Sequence, residues 1–128
     1  MKKFMLLLLG VFLCISCGSK EDQALIGTWK LTEQLIDIGD GKGTFRKIPS
    51  EKTIQFFSDG TFASNGYMCQ MFNTTGPEGL GTYSAEYKTL SPSNCKEEIM
   101  PIHYEVKNGS LILSYPCIEP CQQKFVKI

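Results

Sequence analysis

The sequence predicts an all-β fold, an eight-stranded up-and-down antiparallel β-barrel. Three observations carry that expectation. After Gln23 no stretch holds an apolar period of 3.6 over three turns, whereas short β-branched and aromatic runs recur between turn dipeptides. The connections between these runs alternate between long and short. Four cysteines fall where strands meet the long connections.

The first predicted strand is Ile26–Ile38, "IGTWKLTEQLIDI", with Trp29, Leu31 and Leu35 on one face. The second is Lys52–Phe57. Ser58-Asp59-Gly60 then makes a tight hairpin turn, because glycine accepts positive φ without strain. The third strand is Thr61–Cys69, the fourth Gly79–Glu86, and the fifth a short piece at Thr89–Ser91. The sixth is Pro101–Lys107, followed by Asn108-Gly109, a strong type I′ signal. Ser110–Tyr115 and Gln122–Ile128 complete the set.

The long connections are Gly39–Glu51, Gln70–Glu78 and Pro92–Met100, and the short ones are the turns at Ser58–Gly60, Tyr87–Lys88 and Asn108–Gly109. In a meander, alternate connections lie at opposite ends. One end therefore carries tight turns and the other carries the long loops. Closure of eight such strands removes exposed edges.

The N-terminus reads as an export signal. Lys2 and Lys3 precede an apolar run, Phe4–Leu13, that is too short to span a bilayer as a mature helix. It ends in "LCISC", with small Ser16 before Cys17, which resembles the lipobox of bacterial lipoproteins. Bulky Leu13 disfavours Cys14 as the acylated residue. The resemblance implies a signal peptide over 1–16, lipidation of Cys17, and a polar tether over 17–24. Gly18 at the next position implies the outer membrane. "SKED", Ser19–Asp22, is similar to a short acidic tag that takes some lipoproteins to the cell surface, and equally to a plain tether.

Cleavage would take Lys2 and Lys3 from 13 basic residues, leaving 11 against 13 acidic ones, a net of about −2. No basic patch points to nucleic acid. One small domain remains, over 25–128, and covalent staples would help its modest core. Cys69, Cys95, Cys117 and Cys121 form an even set, which reads as two disulfides in an exported protein. A four-cysteine metal clip and a redox switch are the alternatives. The three-residue spacer between Cys117 and Cys121 suits two hairpin ends facing each other. Cys117–Cys121 with Cys69–Cys95 is therefore the preferred pairing, and the other two connectivities stay open.

At "LIGTWKL", Leu25–Leu31, the chain resembles a lipocalin. Gly27-Thr28-Trp29 matches the Gly-x-Trp that opens that family's first strand. More closely, residues 25–128 resemble the small lipocalin-like domains of bacterial surface lipoproteins, through "GTWKL", "TIQFFSDGTF", "GTYS" and the cysteine-bearing C-terminus. The resemblance implies a barrel with Trp29 plugging its closed end. It also implies a basic residue over that ring. No arginine follows the last strand and the Thr-Asp-Tyr turn of other lipocalins is missing, so Lys124 or Lys127 would take that place.

Period two points Trp29, Leu31, Ile54, Phe56, Phe62, Met68, Tyr83, Leu90, Ile102, Tyr104, Val106, Leu111, Leu113 and Tyr115 inward. An eight-stranded barrel is either filled by such side chains or holds one small ligand. Small Ser64 and Gly66 on the same face leave room. For a ligand-holding barrel the expected binding residues are Phe56, Phe62, Met68, Tyr83, Tyr104, Leu113 and Tyr115, with the mouth near Phe45, Met71 and Phe72.

No catalytic, cofactor or metal pattern stands out. His103, the only histidine, alternates with Ile102 and Tyr104 onto the polar face. "YMCQMF", Tyr67–Phe72, holds soft sulfur donors for Cu(I), but reads more simply as a strand end with Cys69 in a disulfide. "NTT", Asn73–Thr75, is a formal sequon on a loop. The expectation is a membrane-anchored, non-enzymatic barrel that binds a small hydrophobic ligand. The alternative is a filled barrel whose loops contact other envelope proteins.

Overall fold

The computed structural model describes residues 20–71 and 77–128. The expected signal segment, Cys17, Phe72 and the Asn73–Thr75 sequon lie outside the described residues. A short helix, α1 (Lys20–Leu25), leads into nine strands: β1 (Gly27–Ile36), β2 (Phe45–Lys47), β3 (Thr53–Phe56), β4 (Thr61–Ser64), β5 (Gly79–Ser84), β6 (Thr89–Pro92), β7 (Ile102–Lys107), β8 (Ser110–Ser114) and β9 (Cys121–Lys127). All pairings are antiparallel, each strand from β3 onward pairs with the next, and β1 pairs with both β3 and β9. Strand β1 with β3–β9 thus closes the expected eight-stranded barrel.

Three elements differ from the sequence expectation. The tether ends in α1, and Leu25 at its end is fully buried. The first long connection contains β2, which pairs with the far half of β1 through Glu33↔Lys47 and Leu35↔Phe45. The third strand stops at Ser64 rather than Cys69. There the Asn65 side chain replaces strand pairing. Its Oδ1 accepts from Thr53 N at 2.7 Å and its Nδ2 donates to Glu51 O at 2.9 Å.

A bulge corrects the face assignment in β1. Leu31 pairs with Phe125, but Glu33 already pairs with Lys124, so Thr32 has no partner opposite. The extra residue reverses the alternation beyond it. Trp29 and Leu31 face inward. Gln34, not Leu35, then shares the inner face, opposite buried Gln123, and Leu35 pairs with Gln122 on the outer face.

The tight-turn end is sealed. Trp29 donates its indole N–H to Leu25 O at 2.8 Å. Lys127 is the basic residue over the Trp29 ring, 5.4 Å from its centroid. Lys124 instead sits 4.5 Å from the Phe45 ring and pairs with Glu33 at 3.2 Å. Phe45 therefore packs under an outward lysine rather than edging the mouth.

Above this base, Phe56, Phe62, Leu90, Ile102, Leu111, Leu113 and Phe125 are at most 1 % exposed. Phe56 packs edge-on to Tyr83 with centroids 5.5 Å apart. Gly81 is required here by close approach. A Cβ on it would run into the Ser91 carbonyl oxygen and the Phe62 ring. Burying such side chains contributes about 1.5–3 kcal/mol each, so the lower barrel is a filled core.

Both disulfides have the preferred pairing, Cys69–Cys95 and Cys117–Cys121, with Cα–Cα separations of 5.7 and 6.1 Å. The first joins the β4–β5 and β6–β7 connections, and the second braces the β8–β9 connection. Both therefore sit at the long-loop end.

Candidate functional site

The filled interior gives way to a cleft at the long-loop end. Residues 48–52 join β2 to β3, while only Leu31 and Thr32 of β1 separate their partners. Five residues spanning two must bow away from β1. The bow opens a cleft of about 450 Å³ walled by Leu31, Ile48, Pro49 and Met71, with Lys52 and Gln123 among its polar members. A neighbouring cleft of about 400 Å³ shares Gln34 and Ile48 with it and continues along Ile36, Ile38 and Arg46. The bulge at Thr32 explains this lip, since it turns Gln34, Ile36 and Ile38 to the inner side. Ile36 and Ile38 are exposed there.

Lys52 is held by its backbone neighbours. Its carbonyl accepts from Leu31 N at 3.0 Å, and Asn65 braces the chain on either side, at Glu51 and Thr53. Its side chain turns inward across Gly66, where a Cβ would stand 2.9 Å from Lys52 Cγ. The room that Gly66 leaves on the inner face is taken by this stem.

The ammonium reaches three neutral acceptors: Tyr67 O at 2.8 Å, Gln123 Oε1 at 3.4 Å and Tyr115 Oη at 3.5 Å. Tyr115 in turn donates its hydroxyl to Gln123 Oε1 at 3.2 Å. Burial pushes the Lys52 amine down from 10.5 to about 8 and pushes the Tyr115 phenol up. Glu51, the nearest carboxylate in sequence, points outward and pairs with Lys30 at 3.3 Å. Lys52 has no carboxylate partner among the described residues.

The rim has its own fastening. Asp37 Oδ1 accepts from Gly39, Asp40 and Gly41 N–H groups at 2.8, 3.1 and 3.2 Å, and Oδ2 accepts from Gly43 N at 3.4 Å. These donors, Gly39 first, hold its carboxyl below the ordinary value against the opposing effect of burial. Asp37 N also donates to Pro120 O at 3.1 Å, tying the lip to the disulfide-braced turn.

The sequence-predicted binding residues divide in two. Phe56, Phe62, Tyr83, Tyr104 and Leu113 stand in the packed interior, and neither cleft is walled by them. Met68 is fully buried, and Tyr115 meets the cleft only through Lys52 and Gln123. Of the residues expected at the mouth, Met71 walls the cleft and Phe45 does not. Cys69 is in a disulfide, so "YMCQMF" offers no free thiolate. Exposed His103 pairs with Thr89 and Ser114 on the outer face. Among the described residues no three His, Cys, Asp or Glu side chains cluster as metal ligands.

Sequence reasoning missed Lys52 and Gln123. Lys52 sits in the polar run "PSEKT", which gives no sign of burial. Gln123 carried a usable signal: it lies two residues before Phe125, on the same face of β9. Neither a family model, nor a curated protein, nor a solved structure matches the chain.

Proposed function

We propose that this chain is a lipid-anchored lipoprotein of the bacterial outer membrane whose lipocalin-like barrel binds a small, largely apolar molecule in the cleft at its open end. The cleft itself carries the reading. It is of ligand size, has an apolar wall of Leu31, Ile48, Pro49 and Met71 facing a polar one that includes Gln34, Lys52 and Gln123, and stands at the mouth of a closed barrel. The barrel resembles a lipocalin in its Gly27-Thr28-Trp29 start and in the basic residue over that tryptophan. The Cys17 lipobox supports the anchor. Helix α1, which begins three residues after Cys17, meets the barrel at its sealed end, away from the cleft.

The packed lower barrel favours a second reading, an envelope interaction module that binds no small molecule. One experiment separates the two. The full chain is produced by export, purified, extracted with organic solvent, and the extract examined by mass spectrometry. A molecule recovered in proportion to protein supports the carrier. A clean extract, together with no saturable uptake of a neutral apolar fluorophore, supports the module. The anchor is tested separately by metabolic labelling with an alkynyl palmitate. Wild type takes up label, and Cys17→Ser does not; label retained by the variant defeats the lipoprotein reading.

A further inference from the structure

The open-end cleft holds a cation with no ion-pair partner among the described residues; Glu51, the carboxylate that also lines the cleft, is paired outward with Lys30. Lys52 Nζ has three acceptors, all neutral. Lys52 is half-buried, and even partial withdrawal of an ammonium from water without a counter-charge has a cost that neutral dipoles offset only in part. Proteins usually pair such a group or leave it in solvent. Here the stem is instead led inward over Gly66, a position where any Cβ would crowd it.

Gln123 adds a second observation. It is 1 % exposed and reaches the cleft. Its Oε1 is taken by Lys52 and Tyr115, so its N–H groups are turned away from Lys52. Nε2 has no hydrogen-bond partner among the described residues and is open to the solvent of the cleft. A cation and a free amide donor thus stand side by side at the polar edge of an apolar cleft. Arg46 and Lys42 line the adjoining lip, against one acid there, Asp40.

We infer that the molecule held in this cleft is an amphiphile with an apolar body and a carboxylate head, and that the head is received by Lys52 Nζ and Gln123 Nε2. The body lies along Leu31, Ile48 and Met71. The carboxylate supplies the missing counter-charge and accepts the free amide hydrogens. Charge-assisted bonds of this kind are about twice as strong as neutral ones. This rests on the carrier reading, since it names the chemistry of the ligand for the same cleft.

The test uses the exported full chain held by its own N-terminus in lipid nanodiscs, with empty nanodiscs subtracted. N-phenyl-1-naphthylamine, a neutral fluorophore, is bound first and then displaced by dodecanoate or by 1-dodecanol. Wild type should release the fluorophore to dodecanoate at a concentration about tenfold below that needed for dodecanol, a charged hydrogen bond's worth. Lys52→Met keeps the stem's bulk and should erase that preference, read as the ratio of the dodecanoate and dodecanol midpoints within the same variant. Lys52→Arg should retain it, which separates lost charge from lost fold. Equal displacement by the two compounds in wild type, or a preference that survives in Lys52→Met, overturns the carboxylate inference and leaves the carrier reading standing. Absence of any saturable binding, by fluorophore and by dodecanoate alike, overturns both.

Discussion

Lys127 Nζ stands 5.4 Å from the centroid of the Trp29 ring, and its side chain reaches that place by passing over Gly27. Gly27 has φ +131°, a conformation L side chains rarely adopt, and a Cβ there would stand 2.8 Å from Lys127 Cε. The same ammonium donates to Ala24 O at 3.0 Å. One glycine, one tryptophan and one lysine from opposite ends of the chain therefore seal the base together.

Gly27→Ala should destabilise the barrel by about 1–3 kcal/mol, chiefly through backbone strain. Lys127→Met should cost less, about 0.5–1 kcal/mol, the value of an exposed cation–π contact. Urea unfolding followed by the emission of Trp29, the chain's single tryptophan, measures both. The order of the two losses is the test. A larger loss for Lys127→Met would mean that the ring contact, not the backbone, holds the base.

The two disulfides should differ in their contribution. Cys69–Cys95 closes a sequence separation of 26 and Cys117–Cys121 one of 4. Chain-entropy reasoning gives about 3.5 kcal/mol for the first and about 2 kcal/mol for the second. Paired Cys→Ala variants, compared by urea unfolding, should rank in that order. The reverse ranking would mean that the short ring does more than brace the rim.

Much of the barrel was legible because its strands obey period two and its turns carry glycine at the positions that need positive φ. Gly60 and the Asn108-Gly109 pair take φ of +87°, +52° and +75°. Trp29, Phe62 and Leu113 followed from alternation alone. The cleft was not legible, for three physical reasons. The Thr32 bulge turns Leu35 outward and Gln34 inward, and a bulge leaves no mark in a β-prone run. Strand β2 needs only three residues, "FRK", and is fixed by pairing with β1 rather than by propensity. Lys52 is turned inward and half-buried by its neighbours, Gly66 and Asn65, not by its own hydrophobicity.

Lys52 also makes stability depend on pH. Its amine titrates near 8 in the folded chain and at its ordinary 10.5 when unfolded. Between these values the unfolded chain binds more protons, so stability should rise as pH rises from about 8 to 10. The gain is at most about 3 kcal/mol and is reduced by solvent reaching the site. Tyr115, the titratable group facing Lys52, keeps its proton longer in the folded chain and opposes the rise above its ordinary 10.0. Glu51 points away toward Lys30. Urea unfolding at pH 7.5 and 9.5 should show the increase in wild type and its loss in Lys52→Met. A flat profile in wild type would mean that the amine is solvated.

The most direct measurement is titration of the exported full chain, in nanodiscs, with N-phenyl-1-naphthylamine. The cleft account predicts saturable binding at one site per chain. Met71→Glu sets a charge in the cleft wall and should weaken binding at least about tenfold. Phe62→Leu, deep in the filled barrel, should leave it within about twofold. Fluorescence that never saturates, or binding indifferent to Met71→Glu and lost in Phe62→Leu, would contradict a ligand site at the barrel mouth.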